Sequence, residues 1–357
     1  MKKFHDLTVK EVKRETPETV SLTFDVSAGE KNLFAYKQGQ HLTVKAMIEG
    51  QEIRRSYSIC NSVADDELKV AVRHVDGGAF STYANMDLKA GDVLEVMPPL
   101  GHFYIDLEPE SARNYLMVAA GSGITPILSI IKTTLETEPN ARVTLLYGNR
   151  TVESTIFRSE ISQLKNRFLD QFTFFHFMSQ QPLEVEFFNG RLDGAKTKAS
   201  VERILAGQRI DHAFVCGPQA MIMDVAGSLK ECGLDEKQIH SELFGTGEGA
   251  LEAPVRRASA IAQASKAELE IIIDGELKRV AMPDGETNIL DAMADAGVDA
   301  PFSCKGGVCA TCRAKVLEGE VDMTLNYGLE KEEIAAGFVL TCQSFPKTDK
   351  VRLSFDE

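Results

Sequence analysis

From the N-terminus to about residue 108, apolar and polar residues alternate over short runs separated by Gly, Pro and Asp. Thr19–Asp25, His41–Ile48, Arg55–Cys60, Glu67–His74 and Asp92–Met97 each read as a strand. Many short strands with turn signals between them predict an antiparallel barrel. The pattern then changes. Tyr115–Ala120 is an unbroken apolar run that feeds Gly121-Ser122-Gly123-Ile124-Thr125-Pro126 and an apolar helix through about Thr134. Arg142–Tyr147, Phe172–Phe177 and Ala213–Cys216 repeat the apolar run, with helical stretches between them. Strands alternating with helices predict a parallel α/β sheet.

Between Gly245 and Ala267 the periodicity fades into Gly, Ala, Ser and Glu, which reads as a linker. Beyond it Leu269–Ile273 and Lys278–Met282 read as a hairpin and Asn288–Ala296 as a helix, giving an α+β unit of about 90 residues. A chain of 357 residues exceeds one ordinary core, so a multidomain protein is expected. The expected boundaries are 1–108 for the barrel, 109–246 for the α/β domain, 247–266 for the linker and 267–357 for the last domain.

Charge narrows the partners. The net charge of −14 argues against nucleic acid, whose phosphates need clustered Lys and Arg. From Ala267 onward 18 Asp and Glu stand against 9 Lys and Arg, so most of the excess lies in the last domain. Such an acidic module suits docking to a basic partner or is simply a solvated face. The first ten residues carry charge and no apolar run, so they are not read as a signal peptide. No stretch approaches an apolar membrane span, and a cytoplasmic protein that binds no membrane is expected.

Seven cysteines fit a disulfide framework poorly. Four of them, Cys304, Cys309 and Cys312 with Cys342 after 29 intervening residues, have the C-x4-C-x2-C…C spacing of plant-type [2Fe–2S] centres. One loop then supplies three thiolates and the fold a fourth, two for each iron. Gly306 and Gly307 let the backbone wrap closely and aim N–H groups at sulfur. A structural zinc site would pair C-x2-C with a second C-x2-C or a His pair, and no such half exists here. Cys60 and Cys232 read as buried apolar residues.

Arg55-Ser56-Tyr57-Ser58 ends a barrel strand. About fifteen residues on, Val72-Arg73-His74-Val75-Asp76-Gly77-Gly78-Ala79-Phe80-Ser81 is a strand followed by a double-Gly turn, able to bring N–H groups and the Ser81 hydroxyl to a pyrophosphate. Gly121, Gly123 and Thr125 follow a strand and open a helix, as a nucleotide-phosphate loop requires. Pro126 replaces the third glycine of the dinucleotide fingerprint, and proline suits a first helical turn. After the next strand an acid would select NADH, whereas Arg150, with Arg158 beside it, leans the choice to NADPH. Cys216-Gly217-Pro218 ends a further strand, and Ser241-Glu242-Leu243-Phe244 closes the domain.

In these motifs the chain resembles the ferredoxin–NADP reductase superfamily from Leu7 to Phe244, and the order barrel, nucleotide domain, ferredoxin resembles the reductase components of bacterial oxygenases. The resemblance implies a flavin-binding β-barrel, a nucleotide-binding α/β domain and a β-grasp ferredoxin domain. It implies FAD, NADPH and one [2Fe–2S] cluster, with a separate oxygenase complex carrying a di-iron catalytic subunit as the electron acceptor. Arg55 would then neutralise a flavin phosphate, Tyr57 lie against the isoalloxazine and Ser58 hydrogen-bond near N5. Val72, Arg73, Gly77, Gly78 and Ser81 would make ribityl and pyrophosphate contacts, with His74 the weakest member. Cys216 would lie beside the nicotinamide, needing no nucleophilic role. Phe244 would cover the flavin face, the alternative being a plain core Phe. Among other functions, a reductase for a different oxygenase or a redox sensor without turnover stays open; three redox motifs in one chain weigh against the sensor.

Overall fold

In the computed structural model, which describes residues 3–244 and 266–357, the early alternation folds into a six-stranded antiparallel sheet. Its strands are β1 (His5–Thr16), β2 (Thr19–Asp25), β3 (His41–Ile48), β4 (Gln51–Ser58), β5 (Leu68–Arg73) and, after helix α1 (Ala79–Met86), β6 (Val93–Leu100). The order is β4-β3-β6-β1-β2-β5, and Ile59, just past β4, bridges Val70 of β5 so that the sheet closes into a barrel. Leu7, Val9, Leu22, Val44, Val70 and Val96 fill it, with Phe80 and Ala84 of α1 in the same core. Two elements escape sequence reading. β1 is the longest strand, but half of its residues face water and its register shifts between Val9 and Glu11. The double-Gly turn leads directly into α1.

The α/β pattern gives β7 (Asn114–Ala120), α2 (Ile124–Thr137), β8 (Arg142–Asn149), α3 (Arg158–Arg167), β9 (Phe172–Met178), α4 (Gly194–Ser200), β10 (His212–Gly217), α5 (Gln219–Glu231) and β11 (Ile239–Leu243). The sheet is parallel, ordered β11-β10-β7-β8-β9. Met117 and Ala119 pack with Ile124, Ile127 and Ile131 of α2, while Leu116 and Val118 pack with Val225 and Leu229 of α5. Burial on both faces is why β7 reads as continuous apolar sequence.

Barrel and α/β sheet belong to one compact unit, His5–Ile53 with Tyr57–Phe244. Helix α2 is buried from Ile124 to Leu135 because its far side meets the barrel. There Ser129 Oγ donates to Asn61 O at 2.8 Å, Thr133 Oγ1 accepts from Val63 N at 3.2 Å and Ser62 Oγ donates to Glu136 at 2.5 Å. At Gly39 (φ +86°) a Cβ would stand 2.1 Å from Phe103 O and 3.2 Å from Ile130 of α2, so this junction admits only glycine.

A smaller unit holds 266–357. The predicted linker 247–266 lies, but for Lys266, outside the described residues. Here β12 (Glu268–Ile273), β13 (Glu276–Ala281), α6 (Ile289–Asp295), β14 (Arg313–Glu318), β15 (Val321–Met323), α7 (Lys331–Ala335), β16 (Phe338–Leu340), β17 (Ser344–Pro346) and β18 (Lys350–Ser354) follow in turn. The mixed sheet β13-β12-β18-β14-β16, with β12 and β18 parallel, buries Leu269, Ile271 and Leu353 against Ile289, Leu290 and Met293 of α6, as a β-grasp does. Asn288 caps α6 by accepting from Asp291 N at 2.9 Å, as its sequence position suggests.

One contact of the larger unit is tested simply. A Cβ on Gly123 would stand 2.2 Å from the Cys216 carbonyl oxygen, whereas one on Gly227 of α5 would touch nothing within 4 Å. Gly123→Ala should therefore cost about 1–3 kcal/mol by overpacking. Gly227→Ala should instead stabilise by up to about 1 kcal/mol. Urea midpoints at an unchanged m value read both.

Candidate redox site

The site is assembled where barrel strand β4 meets the C-terminal ends of β10 and β11. Ser58, the last residue of β4, is buried and its Oγ donates to Glu242 Oε2 at 3.2 Å. Tyr57 packs its ring on Phe80 at a centroid distance of 5.4 Å. Arg55 is exposed and donates to Arg54 O at 2.7 Å, and Ser56 is half-buried. After β5, Gly77 takes φ +73° and Gly78 leads into α1; a Cβ on Gly78 would lie 2.6 Å from Ser81 Oγ. Two expectations change here. The Ser81 hydroxyl accepts from Val75 N and donates to Gly78 O, each at 3.1 Å, so it holds the turn instead of reaching outward. The Val72 side chain is fully buried in the barrel core, which leaves only its backbone for any ligand.

Arg73 is placed differently from its expected neighbours. Its Nη2 pairs with Glu18 at 3.3 Å, and its Nη1 lies 3.4 Å from where a Cβ on Gly121 would stand. A cation from the barrel thus stands beside the nucleotide-phosphate loop. In that loop Gly121 takes φ +54° and its carbonyl accepts from Tyr147 Oη at 3.0 Å. Thr125 Oγ1 donates to Ser122 O at 3.0 Å, and Pro126 is the third residue of α2, where no intrahelical N–H is needed. Arg150 is exposed just past β8, its carbonyl accepting from Gln180 N at 2.9 Å. Arg158, exposed at the start of α3, is close enough that its charge adds to burial in lowering the His176 pKa. His74 contacts Thr82 at 3.3 Å.

Cys216 is fully buried at the end of β10. Burial, then the Glu242 carboxyl, pushes its thiol well above the usual range, so it is neutral and fits an orienting role rather than nucleophilic attack. A Cβ on Gly217 would meet the terminal methyl of Met221 at 2.6 Å, and Pro218 precedes α5. Glu242 lies opposite Cys216 in the β10–β11 register. Burial pushes its carboxyl up to about 8, and the Ser58 hydrogen bond opposes this only in part. Sequence reasoning missed Glu242; the available signal was an acid directly before Leu243 and Phe244 at the end of a short strand. Phe244, two residues on, is 40% exposed, which sets aside the plain core alternative.

In the smaller unit the backbone wraps as the cysteine spacing requires. Lys305, Gly307 and Ala310 have φ of +51°, +74° and +53°. Gly306 N and Cys309 N point at Cys304 Sγ at 3.3 and 3.4 Å, and Cys304 N at Cys309 Sγ at 3.5 Å. These contacts, with that of the Cys309 thiol first, draw the Cys304 pKa down to about 5. Cys312 and Cys342 lie in the apolar core and Cys304 is half-buried. The thiols meet as two pairs, Cys304 with Cys309 and Cys312 with Cys342. Among the described residues no three His, Cys, Asp or Glu gather as a single ion would require. Thr311, between two of the cysteines, buries its Oγ1 without a hydrogen-bond partner of good geometry. Paired thiols, converging N–H groups and a buried hydroxyl beside Cys309 fit a two-iron, sulfide-bridged centre. The segment before the last cysteine is fitted to the loop too, since a Cβ on Gly328 would lie 2.5 Å from Val308 O. All seven cysteines are free; Cys60 is buried as expected, but Cys232 is only half-buried at the end of α5.

Three family models match the chain: an oxidoreductase FAD-binding domain over residues 6–105, an oxidoreductase NAD-binding domain over 117–227 and a 2Fe-2S iron-sulfur cluster binding domain over 271–347. A component of the 1,2-phenylacetyl-CoA epoxidase of Escherichia coli (strain K12) is 42% identical over 100% of this chain and 99% of its own length. The chain belongs to the ferredoxin–NADP reductase-like family of oxygenase reductases. The ferredoxin reductase component of 3-ketosteroid-9-alpha-monooxygenase from Rhodococcus rhodochrous is 34% identical over 98% of this chain and 96% of its own. The solved structure of phthalate dioxygenase reductase shares the fold, with a TM-score of 0.59 and 23% identity over 99% of this chain and 98% of that one. This reductase is an oxidoreductase with domains for FAD, NAD(P)H and a [2Fe–2S] cluster. Among the described residues no helix is long and apolar enough to cross a membrane.

Glu242 supplies a pH-dependent signature. Its folded pKa of about 8 lies above the ordinary 4.5, so folding takes up a proton between those values. That contribution is fully present below the ordinary pKa and is lost as pH rises towards about 8. Glu242→Gln stays neutral at every pH. Chemical denaturation should show the variant gaining stability relative to the natural protein across this window; a constant difference would mean that Glu242 is ionised throughout.

Proposed function

We propose that this reductase takes hydride from NADPH and delivers electrons singly to a separate di-iron oxygenase, the phenylacetyl-CoA 1,2-epoxidase of phenylacetate degradation, in the cytoplasm. The observation that carries the choice of partner is the full-length 42% identity to the epoxidase component, against 34% for the ketosteroid relative. FAD would supply the passage from hydride to single electrons, and the [2Fe–2S] cluster the one-electron relay. We assign these groups to domains 1–108, 109–246 and 267–357, the last joined through 247–266.

The chain's own residues set the conditions. Gly121, Gly123 and Thr125 open α2 so that its first N–H groups face a nucleotide phosphate, with Pro126 sparing one donor. Arg73 adds a positive charge at that loop, and Arg150, exposed past β8, suits a 2′-phosphate. Cys216, Gly217 and Pro218 form the wall for the nicotinamide, with a neutral thiol at its start. Ser58 Oγ and the protonated Glu242 carboxyl hold a proton at this place, where they would hydrogen-bond a bound flavin. Arg55, Tyr57 and the Gly77–Gly78 turn are assigned to the flavin, and Phe244, 40% exposed, is free to cover its ring. Cys304, Cys309, Cys312 and Cys342 are the ligands of the cluster.

The purified protein should drive NADPH- and oxygen-dependent turnover of phenylacetyl-CoA when mixed with the oxygenase components of the epoxidase. Reduction of cytochrome c without that turnover would point to another oxygenase, and no NADPH oxidation at all to a sensor. Anaerobically prepared protein should carry about two iron atoms and as many acid-labile sulfides per chain. Stoichiometric zinc would overturn the ligand assignment. Arg150→Ala should lower the efficiency with NADPH about 10- to 150-fold through the lost charge-assisted contact, leaving NADH nearly unaffected. Equal losses with both nucleotides would make Arg150 structural.

A further inference from the structure

We infer that Gln343 is a positioning residue for the iron–sulfur cluster, aiming the Gly306 N–H at sulfur by holding the other end of the same peptide group. The inference rests on the four cysteines being cluster ligands. Gln343 directly follows Cys342, on the turn Thr341–Gln343. Its Nε2 donates to Lys305 O at 2.9 Å. The Lys305 carbonyl and the Gly306 N–H belong to one planar trans peptide, so they point in opposite directions. Gly306 N points at Cys304 Sγ, 3.3 Å away. Fixing the oxygen therefore fixes the direction of the N–H, and a donor on the oxygen also polarises the peptide towards sulfur.

The surroundings make Gln343 a fixed point. Its backbone carbonyl accepts from Thr324 N at 2.9 Å and from Thr324 Oγ1 at 3.2 Å. Its Cγ lies 3.1 Å from the Cβ position of Gly307, so its stem rests on the loop. On the other side of Cys342, Thr341 donates from N and from Oγ1 to Cys312 O at 3.1 and 2.9 Å. The residues flanking the fourth cysteine thus grip opposite ends of the loop that carries the other three. Thr341 holds the end buried in the core. Gln343 holds the half-buried end at Cys304, where Lys305 has the left-handed φ of +51° that a side chain rarely adopts unaided.

Gln343→Met keeps the length and the packing on Gly307 and removes the amide, which donates to Lys305 O, accepts from Thr324 Oγ1 at 3.4 Å and contacts the Cys342 thiol. An N–H directed at sulfur stabilises the added electron, so its loss lowers the reduction potential. At a fixed potential the variant should show a reduced-to-oxidised ratio about 3- to 10-fold lower, tenfold being 59 mV for one electron. Electron paramagnetic resonance during a redox titration reads this, with iron and sulfide assayed on the same samples. An unchanged potential with a full cluster would overturn the role of Gln343 and leave the ligands standing; absence of iron and sulfide from the natural protein would overturn the ligands themselves. Should the variant hold no cluster, hydrogen exchange in the natural holoprotein decides. A slowly exchanging Gly306 amide supports the proposal, and one exchanging as fast as a free loop amide overturns it.

Discussion

The larger unit depends on one backbone-to-backbone contact, the approach of the Cys216 carbonyl to the α-carbon of Gly123. The oxygen occupies the place of a side chain, only 2.2 Å from where a Cβ would be. That approach seats the first turn of α2 against the last residues of β10. Because β11 runs in register with β10, Glu242 then falls beside Cys216. Because the far side of α2 is pinned to the barrel through Ser129 and Asn61, the end of β4 arrives at the same point and Ser58 meets Glu242. A nucleotide loop, a neutral thiol, a protonated carboxyl and a barrel hydroxyl are brought together by the absence of one methyl group.

The cysteines show how far the surroundings, rather than the residue type, decide chemistry. Cys60 and Cys216 are surrounded by apolar side chains, and burial raises both thiols, Cys60 to about 12. Cys304 is also largely enclosed, yet its pKa falls to about 5. The difference is first the hydrogen bond from the Cys309 thiol, and then a loop whose left-handed residues turn backbone N–H groups towards the sulfur.

What was legible in the sequence follows from the range of each interaction. The cysteine spacing and the Gly121–Pro126 loop could be read because their chemistry is local to a few residues. Strands β2, β3 and β7 to β10 could be read because burial imposes a period or an unbroken apolar run. Strand β1 could not, since its core-facing positions are few and its register slips. Helix α1 was hidden behind a turn signal, and the Ser81 hydroxyl that seemed free for a ligand is consumed in forming that turn. Glu242 was hidden for a deeper reason: its partner Ser58 is 184 residues away, and an acid near a strand end ordinarily faces water. Gln343 acts through a carbonyl 38 residues distant, and no pattern of residue types announces that contact.

The two units also divide the chemistry by whether a proton accompanies the electrons. Hydride transfer moves a proton with an electron pair; the larger unit carries titratable groups, Glu242 holding its proton near neutrality and Ser58 bonded to it. Taking up a single electron needs no proton if the added charge is spread over sulfur and met by dipoles. The smaller unit answers with peptide N–H groups and a buried Thr311 hydroxyl, donors that do not titrate in the physiological range. Peptide dipoles held in place need no reorganisation when charge arrives, which favours rapid transfer. They must, however, be aimed before the electron comes, and that requirement explains why the residues beside Cys342 are spent on gripping the loop.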